Sequence, residues 1–225
     1  MKIGVIFAME SELDAFVKHF DDVKTMISHP YEVYKIAHST HEIYAIQSGI
    51  GKVNAAMITT WFLHTYPCDA LINTGIAGGV NVTLLETVVA SYMVYHDVDV
   101  TAFNYARGQI PLMPERFSSD PTLLKAYQNA FNNDEYKQGV IASGDQFMTK
   151  LHSLHPFMDR YKDLYAVDME SAAIAHIAYR YNTPFLSFRV ISDVLESPTQ
   201  ISDETSPLNA TLKSGATLKR LIDAL

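Results

Sequence analysis

Residues 184–193 read Pro-Phe-Leu-Ser-Phe-Arg-Val-Ile-Ser-Asp. From Pro184 to Ile191 the run is nearly continuously apolar, with no alternation that would turn one face to water. That pattern marks a strand covered on both faces, as in a parallel sheet with helices on each side. The run leads directly into Ser192-Asp193, polar residues at the strand's carboxyl end, where ligands collect in open α/β sheets.

Working back from it, residues 168–181 carry Ala172, Ala173, Ile174, Ala175, Ile177 and Ala178. They are apolar on nearly every face and predict a buried helix. Residues 139–142 read as a strand ending in the turn Ser143-Gly144-Asp145, and 121–131 as a helix. Gly108, Pro111 and Pro114 punctuate 103–117 too often for a regular element. Residues 86–96 are β-branched and extended. Residues 69–73 predict a short strand followed by a glycine-containing turn over 74–79, and 52–66 a helix that Pro67 stops. Two strands, 31–37 and 42–47, flank the polar turn 38–41 as a hairpin. At the start, an apolar strand over 3–7 hands over to an acidic, helix-like 9–20. The polar stretch 197–207 reads as a mobile loop. The expectation is one domain, residues 1–225, built as a three-layer α/β/α sandwich around a central twisted mixed sheet.

Composition narrows the function classes. The chain has 225 residues, 48% of them hydrophobic and 19% charged, with a net charge of -8. A negative surface repels nucleic acid on average. The single cysteine, Cys68, excludes an internal disulfide framework and suits a reducing cytoplasm. No stretch approaches the roughly 20 apolar residues of a membrane span, and the acidic Glu10, Glu12 and Asp14 follow the first strand where a signal peptide would need a longer apolar core.

Four polar places follow predicted strands: Met9 to Glu12, Thr74 to Gly79, Val167 to Glu170, and Ser192-Asp193. Each has a structural alternative. Glu12 would meet a helix dipole favourably, and the turn with Gly75, Gly78 and Gly79 could be only a tight connection. Glu170 opens an apolar helix and Arg189 sits inside the most apolar strand, and neither can be buried alone. An ion pair between them, or one with another carboxylate, is the structural reading. His96, Asp97 and Asp99 lack a second histidine at ligand spacing, so neither a metal nor a cofactor is expected.

Taken together, the strings Met1-Lys2-Ile3-Gly4-Val5-Ile6, Ala8-Met9-Glu10, Ser48-Gly49-Ile50-Gly51-Lys52-Val53, Asn73-Thr74-Gly75 with Ala77-Gly78-Gly79, residues 95–103, Ser143-Gly144-Asp145, Asp168-Met169-Glu170 and residues 189–193 form an ordered set. The set resembles the methylthioadenosine/S-adenosylhomocysteine nucleosidases of the purine nucleoside phosphorylase-like superfamily, in order and spacing to about residue 195. The resemblance implies that Glu12 activates a water and Asp193 supplies or shares a proton with adenine N7. It implies that Glu170 accepts from ribose hydroxyls with the backbone of Met169 nearby, and that Arg189 lies in the site. Phe147 would stack on adenine while the backbone of Met148 bonds its edge, and Gly78 would admit a close main-chain approach. Met9, Ile50, Phe147 and Met169 would enclose the 5′-thioether, with Val100, Phe103, Tyr105 and Pro111 arriving from a second subunit of a homodimer. The family commonly has serine where Ile76 stands, which implies slower hydrolysis. It has glutamate for Asp168, and an aromatic lid where residues 201–208 offer Ile201 and Leu208.

The rival readings are a nucleoside phosphorylase, an aminodeoxyfutalosine nucleosidase and a non-catalytic adenosine-binding protein. The first needs a phosphate site where this sequence is acidic, at Glu10 and Glu12. A mere binder gains little from the pair Glu12 and Asp193.

Overall fold

A computed structural model describes residues 1–196 and 206–225. Along the chain run β1 (Lys2–Phe7), α1 (Glu10–Val17), β2 (Val23–Ser28), β3 (Tyr31–His38), β4 (His41–Gln47), α2 (Lys52–Thr65), β5 (Ala70–Gly79), β6 (Thr87–Tyr95) and β7 (Phe117–Ser118). Then come α3 (Pro121–Ala130), β8 (Tyr136–Ser143), α4 (His155–Arg160), β9 (Leu164–Asp168), α5 (Ser171–Tyr181), β10 (Phe185–Val194) and α6 (Ser206–Ala224).

One mixed sheet carries the site. On one side, β1 pairs in parallel with both β4 and β5, and the antiparallel strands β3 and β2 extend the edge beyond β4. On the other side, β5 pairs in parallel with β10, β10 antiparallel with β6, β6 in parallel with β8, and β8 in parallel with β9. β9 then returns antiparallel to the last two residues of β5, Gly78 and Gly79. The sheet therefore closes on itself through β5, which outruns β1 and offers its free edge to β9. Helices α1, α3 and α6 pack on one face through Leu13, Phe16, Leu123, Tyr127, Leu218 and Ile222. On the other, α2 and α5 pack through Ile58, Phe62, Ala173 and Ile174. This is the expected three-layer α/β/α arrangement around a mixed sheet.

The decisive apolar run is β10, buried from Phe185 through Ser192. Two expectations need correction. The glycine-containing stretch 74–79 is not a turn but the continuation of β5, because β10 and β9 supply its hydrogen-bonding partners as far as Gly79. The helix expected from residue 168 starts at Ser171, and Asp168 closes β9, whose strand Leu164–Asp168 the sequence reading passed over. The edge strand β2, the short β7 and α4, and the helix α6 were also unassigned. The stretch expected as a mobile loop, apart from residues 206 and 207, lies outside the described residues, as does Ile201. Leu208 is exposed on α6. No helix among the described residues is long and apolar enough to cross a membrane.

Helix α6 reaches the sheet by lying against α1, and the contact is close. A β-carbon at Gly215 would collide with the Ala15 carbonyl and stand 3.0 Å from the Phe16 nitrogen. In an open helix Gly→Ala stabilises by about 1 kcal/mol. Here overpacking of about 1–3 kcal/mol opposes that gain. Gly215→Ala should therefore lower the midpoint of chemical denaturation, and a raised midpoint would show that α1 and α6 are not in this contact.

Candidate active site

A cleft of about 580 Å³, its open mouth included, lies at the carboxyl ends of β1, β5, β9 and β10. The strand ends contribute Met9, Ile76, Gly78, Asp168, Met169, Glu170 and Asp193, and two loops add Ile50, Phe147 and Met148. Its lining holds three carboxylates, no lysine and no arginine. Phe147 is 76% exposed, whereas Met148 is buried against the β8–β9 side of the core. Gly78 pairs with both Val167 and Asp193, and a β-carbon there would press on Leu195 and Val167 at 3.0 and 3.1 Å. A side chain there would need Leu195 and Val167 to give by a few tenths of an ångström.

Asp193 reaches the cleft because β10 is irregular at that point. Ile191 pairs with Ala77 but Asp193 pairs with Gly78, so Ser192 is an extra residue. Such a bulge re-aims the side chains that follow it. The Ser192 hydroxyl donates to Asp193 Oδ1 at 2.8 Å.

Glu12 is 2% exposed and lies just behind the lining. Its Oε2 accepts from the main-chain N–H groups of Ala8 (3.1 Å) and Met9 (3.0 Å), and its Oε1 from that of Ile76 (2.9 Å). Glu12 therefore does cap its own helix, as the structural alternative held. A carboxylate has about four acceptor positions, so three N–H donors leave one. Burial pushes its pKa up, against the pull of Arg189 and the three N–H groups. A β-carbon at Gly75 would collide with the Glu12 carboxylate and stand 2.6 Å from Arg189 Nη1. The absence of a side chain there lets the two charges approach.

Arg189 is fully buried. Its Nη2 meets Asp168 Oδ2 at 2.7 Å and Asn73 Oδ1 at 2.7 Å, while Glu170 Oε2 stands off at 3.8 Å. Ser171 accepts from Nε and Nη2 at 3.2 and 3.0 Å. Between the two partners the sequence left open, Asp168 is the close one. Burial works against the arginine's charge, but Asp168, Glu170 and Glu12 outweigh it and raise its pKa. Glu170 is left facing the cleft, its Oε1 accepting from Gly51 N–H at 2.9 Å. Gly51 has φ of 97°, the left-handed region that favours glycine.

The sequence profile of the Phosphorylase superfamily matches residues 2–225. A 5′-methylthioadenosine/S-adenosylhomocysteine nucleosidase from Bacillus cereus is 36% identical over the whole of both chains. A solved nucleosidase of that kind from S. pneumoniae, holding a transition-state inhibitor, superposes with a TM-score of 0.91 at 35% identity, covering 100% of this chain and 99% of that one. Another from Colwellia psychrerythraea, in complex with adenine, gives 0.90 at 33% identity, covering 100% and 96%. The chain belongs to the methylthioadenosine/S-adenosylhomocysteine nucleosidase family.

Of the residues that the resemblance to these nucleosidases singled out, Met9, Ile50, Gly78, Phe147, Met148, Met169, Glu170 and Asp193 meet in the one cleft. Glu12 and Arg189 lie beneath it. Phe103 and Pro111 do not line it: both are exposed, Phe103 by 74%, on the irregular segment after β6. The sequence reading missed the support beneath the site, Asn73, Ser143, Ser171 and Ser187, although the first two stood in its motifs. Small polar residues inside apolar runs were the available signal. Among the described residues, no group of three or more His, Cys, Asp or Glu is placed to hold a metal ion.

Burial first, and then the charge of Asp168, push the Glu170 pKa from 4.5 up to about 7, against Arg189 and the Gly51 N–H. The folded state thus binds more protons than the unfolded chain between about pH 4.5 and 7, and the stability that this proton contributes is lost as the pH rises through 7. Glu170→Gln removes the titration. The unfolding free energy of the unsubstituted protein should fall relative to that of the variant across this window. Parallel stability curves would contradict the assignment.

Proposed function

We propose that residues 1–225 form one catalytic domain that hydrolyses the N-glycosidic bond of 5′-methylthioadenosine and S-adenosylhomocysteine, releasing adenine. The observation that carries this reading is the charge of the cleft. Three carboxylates line it, and the arginine beneath is already held by Asp168. Such a site repels phosphate and suits a cation-like sugar with water as the nucleophile. The apolar side chains of Met9, Ile50, Ile76 and Met169 on the same walls suit the 5′ sulfur that both substrates share.

In the proposed reaction the bond from C1′ to N9 breaks with its electron pair passing to the purine. Asp193 gives or shares a proton with N7, so that adenine leaves neutral. Water adds to C1′ and passes a proton to the remaining acceptor position of Glu12, whose burial makes it a stronger base. Glu170 accepts from the ribose hydroxyls, Phe147 stacks on the adenine ring and the Met148 main chain bonds its edge. We further propose a homodimer, in which Phe103 and Pro111 of one chain close the cleft of the other; their exposure supports it. No cofactor enters the reaction.

Asp193→Asn keeps the shape of the side chain but cannot supply the proton. Adenine release from methylthioadenosine should fall by about 100-fold or more, the scale of general acid catalysis, with the fold retained by circular dichroism. Near-normal turnover would remove Asp193 from this role.

Ile76 lines the cleft next to the N–H that holds Glu12, and its side chain offers water no hydrogen bond. A missing positioning contact costs about 1–3 kcal/mol, roughly 5- to 150-fold in rate. Ile76→Ser should raise turnover of methylthioadenosine by more than it changes the affinity of a thioether inhibitor. Unchanged or reduced turnover would mean that Ile76 only packs against the sheet.

A further inference from the structure

Two carboxylates, Asp168 and Glu170, flank Met169 at the junction of β9 and α5, and both face Arg189 Nη2. They are held very differently. The Ser143 and Ser171 hydroxyls donate to the two oxygens of Asp168, and the main-chain N–H groups of Glu170 and Ser171 add longer contacts at 3.3 Å. Ser143 is itself fixed by accepting from Ala172 N–H at 2.8 Å. The Glu170 carboxylate has one hydrogen bond among the described residues, from Gly51, and its distance of 3.8 Å from Arg189 is beyond hydrogen bonding.

We propose that Asp168 is a positioning residue for the ribose site: by holding the Arg189 guanidinium it keeps Glu170 off the arginine and turned to the cleft. The proposal rests on the reading of Glu170 as acceptor for the ribose hydroxyls. The groups facing Glu170 are Asp168 from β9, Arg189 from β10, Glu12 from α1 and the Gly51 N–H ahead of α2. Asp168 acts on it twice, as a like charge beside it and as the competitor for its counter-ion. Without the charge of Asp168, Glu170 is the carboxylate left within 4.0 Å of the guanidinium among the described residues, nearer than Glu12. The side chain then folds onto the arginine, ionised, with an oxygen withdrawn from the ligand.

The test uses 5′-methylthio-7-deazaadenosine, which lacks the N7 that takes the proton and so is not cleaved, together with its 2′,3′-dideoxy counterpart. Their affinities are measured from pH 6 to 8 by calorimetry. The unsubstituted protein should favour the hydroxylated ligand, with an inflection in that preference near the Glu170 value of about 7. In Asp168→Asn the preference at the upper end of the range should fall by roughly 10-fold or more, the scale of one hydrogen bond to a charged group, and the inflection should leave the range. A variant with the same preference and the same inflection would overturn the role of Asp168 alone. An unsubstituted protein with no preference would overturn the reading of Glu170, and the proposal with it. Should Asp168→Asn fail to fold, Ser143→Ala decides in the same way, since it keeps the charge and removes one of the bonds that fix Asp168. A smaller loss of preference supports the proposal, and an unchanged preference overturns it.

Discussion

A guanidinium with no access to water must be answered inside the protein, and the need is acute at Arg189. Taking such a charge out of water costs several kcal/mol, and leaving it or its partner unpaired costs about 3–5 kcal/mol. The answer comes from four places: Asp168 at the end of β9, Ser171 at the start of α5, Asn73 on β5 and Glu12 across the gap at Gly75. Asn73 in turn donates to the Ile6 carbonyl of β1 at 2.9 Å, and Ser187 joins Ser171 at 2.9 Å. One buried charge thus ties together the ends of the strands that open into the cleft.

The same arrangement sets the chemistry of the cleft. Because the arginine is neutralised from within, the walls present carboxylates and apolar side chains and no cation. A phosphate ion finds no cationic partner in that lining, whereas a sugar that gains positive charge finds several carboxylates. Glu12 and Glu170 both lie in poorly solvated positions that raise their pKa, and for Glu12 a raised pKa fits the proposed role of base for water. The family's superfamily is named for phosphorolysis, so the charge of this cleft, more than its fold, separates the two reactions.

Much of this was legible in the sequence. The run in β10 announced a doubly covered strand, and the polar residues after the strands marked the mouth of the cleft. Arg189 and Glu170 announced themselves as charges that could not be buried alone. What the sequence withheld depends on pairing between distant strands. Glycines at 75, 78 and 79 looked like a turn because glycine weakens strands locally, yet here they give room to Glu12, Leu195 and Val82 within β5. Asp168 looked like the first residue of a helix, and its hold on Arg189 appears only once β9 lies beside β8 and β5. The bulge at Ser192 that turns Asp193 into the cleft has no signature in single-chain periodicity.

Among the described residues Arg189 is the one arginine beneath the cleft, and with its charge neutralised by Asp168 the nucleoside is left to water. Methylthioadenosine cleaved in ¹⁸O-labelled water, with inorganic phosphate present, tests it most directly by mass spectrometry of the sugar product. The expected product is a free sugar carrying the label on its anomeric oxygen. An unlabelled sugar 1-phosphate would contradict it.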